Sequence, residues 1–432
     1  MLAVAILGAN GLIGNALATD LRRRGFTVRG MARRFTKAQR AALGEAAVQA
    51  NVTSLSDGQL TELLDGADIV VNAIGVLQGP DTDRLHRAFA AKLAAACARL
   101  PQKLLIHLSV PDGAGIEPTA FSQSKRRGEA AIAASGAPFV ILRPGFVVAT
   151  GAYGGSALVR ALAAMPFDLP RRDGGVPFAA TAISDICETV AYIALHRLQG
   201  EMDWRAIWDV MEEFPGTVAD AVTRFRNRQG GPAAKMTLPG WLMTLGAVVG
   251  DLASVLGWRP PVRSTTLTEM RRGVTGNPAE WMAATGIQPL SLRAAIQALP
   301  ATVQETWFAR LYLLKALALL VLVIFWCASG TIALTVAFAP ARQILLDHGI
   351  GFSLAQDVTL VSSFLDISVG VAIAFRRSSR AGLIAGIILS VGYMLCAAVV
   401  TPDLWAEPLG AMVKTGPAII LMLFCLAIWD DR

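Results

Sequence analysis

Short apolar runs alternate with longer mixed segments through the first 195 or so residues. Leu2–Leu7, Thr27–Ala32, Ile69–Ala73, Lys103–Ser109 and Phe139–Arg143 have the length of buried strands and are too short for helices. The stretches between them, including Asn15–Arg24, Arg84–Leu100 and Ser124–Ala134, read as helices. This rhythm predicts an α/β fold, a doubly wound parallel sheet covered on both faces.

Beyond residue 200 the pattern loosens. Trp204–Val210 reads as a late strand and Thr217–Arg228 as a basic helix. Gly240–Trp258 is apolar, with Asp251 its only charge before a break at Arg259-Pro260-Pro261. It suits core, a lipid-surface helix or the lid of a hydrophobic pocket, with core as the leading expectation.

From residue 311 apolar runs lengthen sharply. Ala316–Ala341 and Ala381–Pro402 carry no charge, and Leu354–Phe375 is interrupted only by Asp357 and Asp366. Each satisfies the roughly 20 residues that a bilayer crossing needs. Lys414–Trp429 reaches that length only with Leu409–Val413. The expectation is an all-α domain of four transmembrane helices over residues 306–432, following a domain over residues 1–305.

Composition agrees: 54% of the 432 residues are hydrophobic and 16% charged, against about 25% charged in soluble domains. The formal charge of +7 is not gathered into basic blocks interleaved with aromatics, so no nucleic-acid partner is expected. The loop Arg376-Arg377-Ser378-Ser379-Arg380 should face the cytoplasm, while the loops around Asp347 and Asp403–Glu407 are poor in Lys and Arg. Four spans would then put the N-terminal domain and the C-terminus on the cytoplasmic side of a bacterial inner membrane. With a strand expected from residue 2, no cleavable signal peptide is expected. Five cysteines and four histidines show no metal-ligand spacing, so no metal is expected.

The chemistry begins where the first strand ends, at Gly8-Ala9-Asn10-Gly11-Leu12-Ile13-Gly14. Strand, glycine turn and helix in that order form a pyrophosphate cradle. Small residues let backbone approach the phosphates, and amides at the helix start face their charge. That placement favours a Rossmann-type dinucleotide site over a structural turn.

With Gly66-Ala67-Asp68-Ile69-Val70-Val71-Asn72-Ala73-Ile74-Gly75, Ser109, Lys125 and Leu142-Arg143-Pro144-Gly145, the N-terminal half resembles the short-chain dehydrogenase/reductase superfamily, in its atypical or extended branch. Within it, the half is similar to the short-chain-like accessory subunit of respiratory complex I. The C-terminal 120 or so residues resemble the DoxX-like four-helix membrane family through Trp307-Phe308-Ala309-Arg310-Leu311-Tyr312 and Thr401-Pro402-Asp403-Leu404-Trp405. The first resemblance implies Ser109 and Lys125 as catalytic residues. Lys125 would also hold the cofactor ribose, Asn51 and Val52 would lie near the adenine, and Asn72, Ala73, Ile74 and Gly75 would run along the cofactor.

The family's Tyr-x-x-x-Lys is here Phe121-Ser122-Gln123-Ser124-Lys125. Phenylalanine has no proton to give, and a positioned acid typically contributes about 10²–10⁴-fold. None of the four tyrosines is near position 121 in sequence, and Tyr153 is the remaining substitute. After the second strand come Arg33 and Arg34 rather than the carboxylate that holds an NAD ribose, and guanidinium matches a 2′-phosphate. NADP(H) is therefore expected over NAD(H).

These features predict a membrane-anchored NADP(H)-binding protein, either an oxidoreductase on a hydrophobic, quinone- or lipid-like substrate, or a non-catalytic structural, assembly or sensor subunit of a membrane complex. A role centred on the four helices, with the nucleotide domain regulatory, is weaker. Asp366 should face the bundle interior, since a mid-membrane carboxylate is costly. Ser362, Ser363 and Ser368 are its expected hydroxyl partners. A structural role leads there over a quinone, lipid-headgroup or proton-handling site.

Overall fold

The computed structural model describes residues 2–75, 82–100, 102–113, 119–406 and 410–429. They divide into two compact units: Met1–Ala247 with Pro261–Ala309, and Val248–Pro260 with Arg310–Arg432.

In the first unit, seven strands among the described residues form one parallel sheet. They are β1 (Ala3–Leu7), β2 (Thr27–Ala32), β3 (Ala47–Gln49), β4 (Ile69–Asn72), β5 (Leu104–Leu108), β6 (Phe139–Pro144) and β7 (Arg205–Val210). Their order is β3-β2-β1-β4-β5-β6-β7. Alternate residues of β1 feed two cores. Val4 and Ile6 pack with Leu17, Leu21, Ile186 and Val190, whereas Ala5 and Leu7 pack with Leu60, Leu64, Phe89 and Leu93. Coverage on both faces explains why the strands read as continuous apolar runs rather than alternating ones. The winding reverses between β1 and β4, and such a reversal opens a crevice at the carboxyl ends of those two strands.

The late strand is β7, paired with β6 from Arg205↔Phe139 to Val210↔Pro144. The basic helix is Val218–Gln229, started by a reciprocal cap between Thr217 and Asp220. Arg84–Leu100 differs from a single α-helix: Arg84–Ala88 is a π-turn leading into Phe89–Arg99.

Gly240–Trp258 contradicts its leading expectation. Gly240–Val255 is a helix, but Trp241, Leu245, Leu252 and Val255 are exposed, so the segment is not core. Apolar composition alone cannot distinguish a face covered by protein from one left open.

The helices Val303–Leu334, most of which belongs to the second unit, and Phe352–Ala374 and Ser379–Val400 within it are long and apolar enough to cross a membrane. Among the described residues these three helices are of that length. The fourth apolar helix, Ala411–Ala427, has 17 residues with Pro417 inside it. The first span also starts earlier and stops earlier than the apolar run, which continues through a turn into the separate helix Phe338–Asp347. Hydropathy does not register that turn. Glu407 and Leu409 lie outside the described residues.

Asp366 is buried and doubly partnered. Tyr393 donates to its Oδ1 at 2.8 Å and Ser329 to its Oδ2 at 3.2 Å. The expected neighbours are not its partners: Ser362 and Ser363 donate instead to the Thr359 carbonyl, and Ser368 is exposed. Hydroxyls four residues back along one helix find backbone carbonyls first, so the carboxylate is satisfied across helices.

Candidate functional site

The crevice is built from three chain segments that meet at the ends of β1, β2 and β4. Gly8 and Ala9 donate their amides to Met31 O at 2.9 and 3.1 Å, stitching the turn to β2. Gly8 sits at φ +85°, and a Cβ there would lie 3.0 Å from Ala73 O. A Cβ on Gly14 would overlap Gly8 O at 2.3 Å, so no side chain fits the tight return of the loop. The helix Leu12–Arg23 begins at Gly11 with no side-chain cap, leaving its first-turn amides unclaimed by side chains. This is the local geometry that receives a pyrophosphate, and the residues present fit a dinucleotide.

Asn10 ties the cradle to the segment after β2. Its Nδ2 donates to Arg34 O at 3.0 Å, while Gln39 Nε2 donates to Asn10 O at 3.1 Å. Arg33 and Arg34 are exposed, and neither joins a carboxylate in an ion pair among the described residues. Asn51 is exposed, its Oδ1 accepting from Thr53 Oγ1 at 3.0 Å, and Val52 is buried in the core with Leu60.

The third wall follows β4. Asn72 Oδ1 accepts the Ile74 amide at 3.2 Å, which turns Nδ2 toward His107 Nδ1 at 3.0 Å. His107 must then carry its proton on Nε2, a buried atom with no partner among the described residues. Burial pushes its pKa well below the usual histidine value, with Lys125 adding to the effect, so the ring is neutral.

The helix Ala120–Ala133 carries Phe121 and Lys125 one turn apart, beginning where Thr119 Oγ1 accepts the Ser122 amide. Lys125 Nζ donates to Leu108 O at 2.8 Å and Ile74 O at 3.3 Å. Burial lowers its pKa to about 8, partly opposed by Glu129. Gly75 borders it: a Cβ there would be 3.7 Å from Nζ. Ser109, just past β5, is buried with an Oγ that has no partner among the described residues. Phe121 stands edge-on to His86, with ring centroids 5.3 Å apart. Ser124 Oγ donates to Phe121 O at 2.7 Å and so accepts from His86 Nδ1 at 2.9 Å. Burial drives His86 down to about 3, so it is not an acid at neutral pH.

Gly8–Gly14, Asn72–Gly75, Ser109 and Lys125 thus surround one crevice. Tyr153 is exposed, near the cradle's start: a Cβ on Gly151 would meet Leu12 Cδ1 at 3.1 Å and the Tyr153 ring at 3.4 Å. Sequence reasoning missed His86 and His107, which have no motif spacing. It also left Arg143 without a partner. Arg143 bonds Glu129 through two nitrogens at 3.1 and 2.5 Å, and Asp112 and Asp209 stand at 3.6 and 3.9 Å. A buried glutamate 14 residues away in sequence has no local signature.

The family described as NAD(P)H-binding matches residues 8–171, and the DoxX-like family matches residues 323–423. No curated protein sequence matches the chain. Among solved structures, UDP-glucuronic acid 4-epimerase from Bacillus cereus in complex with NAD is similar at 15% identity. It covers 72% of this chain and 100% of its own, with a TM-score of 0.51. MoeE5 in complex with UDP-glucuronic acid and NAD is 15% identical over 70% of this chain and 98% of its own, at a TM-score of 0.50. The protein described as gox2253 is 18% identical over 68% and 95%, also at 0.50. At these identities the likeness establishes the fold alone.

Proposed function

Because the chain joins an NAD(P)H-binding, short-chain-dehydrogenase-like domain to a DoxX-like membrane domain, we propose that it is a membrane-anchored NADP(H)-dependent oxidoreductase acting on a hydrophobic, quinone-like acceptor. In this reading residues 1–305 hold the nucleotide and residues 306–432 the bilayer. The nucleotide domain lies on the cytoplasmic side of a bacterial inner membrane, with Ala411–Ala427 crossing as a fourth, shorter span. Arg376, Arg377 and Arg380 support that orientation.

The observation that carries the reading is a dinucleotide crevice that keeps Lys125 but has a hydrocarbon ring at the position of the usual acid. A bound dinucleotide of this kind supplies or accepts a hydride. Gly8–Gly14 would hold its diphosphate, Arg33 and Arg34 its 2′-phosphate, and Lys125, with two of three donors taken by carbonyls, its ribose. Reduction of a saturated carbonyl builds charge on an alkoxide oxygen that needs a proton donor, and Phe121 offers none. A quinone accepts the same electrons as a delocalised anion, which water or Lys125 can protonate afterwards. A membrane tether supports such an acceptor, since quinones reside in the bilayer.

A second reading, a nucleotide-binding subunit without turnover, is favoured by the Phe121–His86 packing and by two neutral histidines in place of an acid. Ligand held at 100 times its dissociation constant stabilises a fold by about 2.7 kcal/mol, so retention alone has value. Full-length protein in nanodiscs, given NADPH and a short-chain quinone, separates the two. Oxidation of NADPH that falls in Lys125→Ala supports the enzyme. Tight NADPH binding with no oxidation above that of Lys125→Ala leaves the subunit reading.

A further inference from the structure

The helix Gly240–Val255 holds an apolar surface that the nucleotide chemistry does not use. Trp241, Leu245, Val248, Leu252 and Val255 follow one another at intervals of four, three, four and three residues, and every one is exposed. Successive steps of three and four place them on one helical stripe. Met243 and Ala247, on the other side, are buried. The helix is therefore apolar on both sides and covered on one. At 16 residues and 1.5 Å per residue it is about 24 Å long, short of the roughly 30 Å hydrocarbon thickness.

The chain that follows is fastened to the end of a membrane span. Trp258 Nε1 donates to Ala374 O, the last residue of Phe352–Ala374, at 2.7 Å. The Arg376 amide donates to Leu256 O at 3.0 Å, and its guanidinium lies 5.3 Å from the Trp258 ring centroid. Val248–Pro260 belongs to the same compact unit as the spans. A Trp–Arg pair at a span's end marks the boundary between headgroups and acyl chains. Val248, Leu252 and Val255 of the stripe thus belong to the unit that holds the apolar spans.

We propose that Gly240–Val255 lies in the plane of the bilayer as an interfacial anchor, its Trp241–Leu245–Val248–Leu252–Val255 stripe sunk among the acyl chains. Its occupant is lipid rather than a second copy of the chain. Helices that pair through a stripe of this spacing carry charges beside it that set the partner, and here Asp251 is the only charged residue in the helix. Protein packing at Met243 and Ala247 replaces the polar face of an ordinary surface helix.

Photocrosslinking of the full-length protein in nanodiscs of phosphatidylcholine and phosphatidylglycerol tests this. Leu245→benzoylphenylalanine and Leu252→benzoylphenylalanine are compared with the same change at Val391, exposed on the span Ser379–Val400, and at Glu45, exposed on the nucleotide unit. The expected result is phospholipid adducts at positions 245 and 252 in yields matching position 391, and none at 45. Crosslinked dimers at 245 or 252 would assign the stripe to a second copy and overturn the proposal. Absence of lipid adducts there, with adducts at 391, would overturn it as well. Nucleotide turnover plays no part in either outcome.

Discussion

Phe121 and His86 meet edge to face, their rings 5.3 Å apart, where the superfamily resemblance places a proton-donating tyrosine. The hydrocarbon ring shields a neutral imidazole and closes that route for a proton. Phe121→Tyr restores a hydroxyl one turn from Lys125. NADPH-dependent reduction of a saturated ketone should rise by about 10²-fold or more over the parent, the usual contribution of a placed acid. Reduction of a quinone should change little. Stopped-flow absorbance of NADPH with both acceptors checks this; equal gains on the two would show that protonation is not what Phe121 removes.

Lys125 is pulled down to about 8 by burial, from an ordinary value of 10.5. Its charge is complete well below pH 8 and is lost as pH rises through that value. If the ammonium holds the ribose, NADPH affinity should be level between pH 6 and 7.5 and decline above 8. The decline approaches tenfold per pH unit, since one unit corresponds to about 1.36 kcal/mol. Lys125→Met should bind more weakly and show no such decline. Isothermal titration from pH 6 to 9.5 makes the comparison, and a parallel decline in the variant would assign it to another group.

The sheet was legible because buried parallel strands leave uninterrupted apolar runs, and the glycine loop because Gly8 and Gly14 tolerate no Cβ. His86, His107 and the Arg143–Glu129 pair were not, because tertiary contacts select them from residues with no periodic or motif signal. The partners of Asp366 illustrate the same limit. Sequence neighbours Ser362 and Ser363 turned to their own helix backbone, and the carboxylate was met by Ser329 and Tyr393 from other helices. Gly240–Val255 was misjudged because hydropathy records what a face is made of and not what covers it.

Arg34 is fastened by its backbone, not its side chain, through the Asn10 amide at 3.0 Å. Arg33→Ala with Arg34→Ala should therefore leave the glycine loop intact while removing both guanidiniums. Hydrogen bonds to charged groups contribute about 1.5–3 kcal/mol each, so NADPH affinity should fall by roughly 10- to 150-fold or more. NADH affinity should stay within about twofold of the parent, because no 2′-phosphate contact is lost. Competition binding with both nucleotides measures the ratio. An equal loss for NADH would mean that the arginines support the fold or the diphosphate instead.

Asp185 is buried at the start of the helix Ile183–Leu198, and its Oδ2 accepts the Leu290 amide at 3.1 Å. Burial outweighs that bond and raises its pKa to about 6, from 3.8. Between those values the folded state binds more protons than the unfolded one, so this group's contribution to stability falls as pH rises from about 4 to about 6. Above that range the carboxylate is ionised in both states and the penalty is complete. Asp185→Asn keeps an acceptor for the Leu290 amide and removes the charge. The variant should match the parent near pH 4 and exceed it by up to about 3 kcal/mol at pH 7.5, the free-energy equivalent of that shift. Thermal unfolding of the full-length protein in detergent at the two pH values reads the difference. A gap of the same size at both would mean that Asp185 does not titrate in this window.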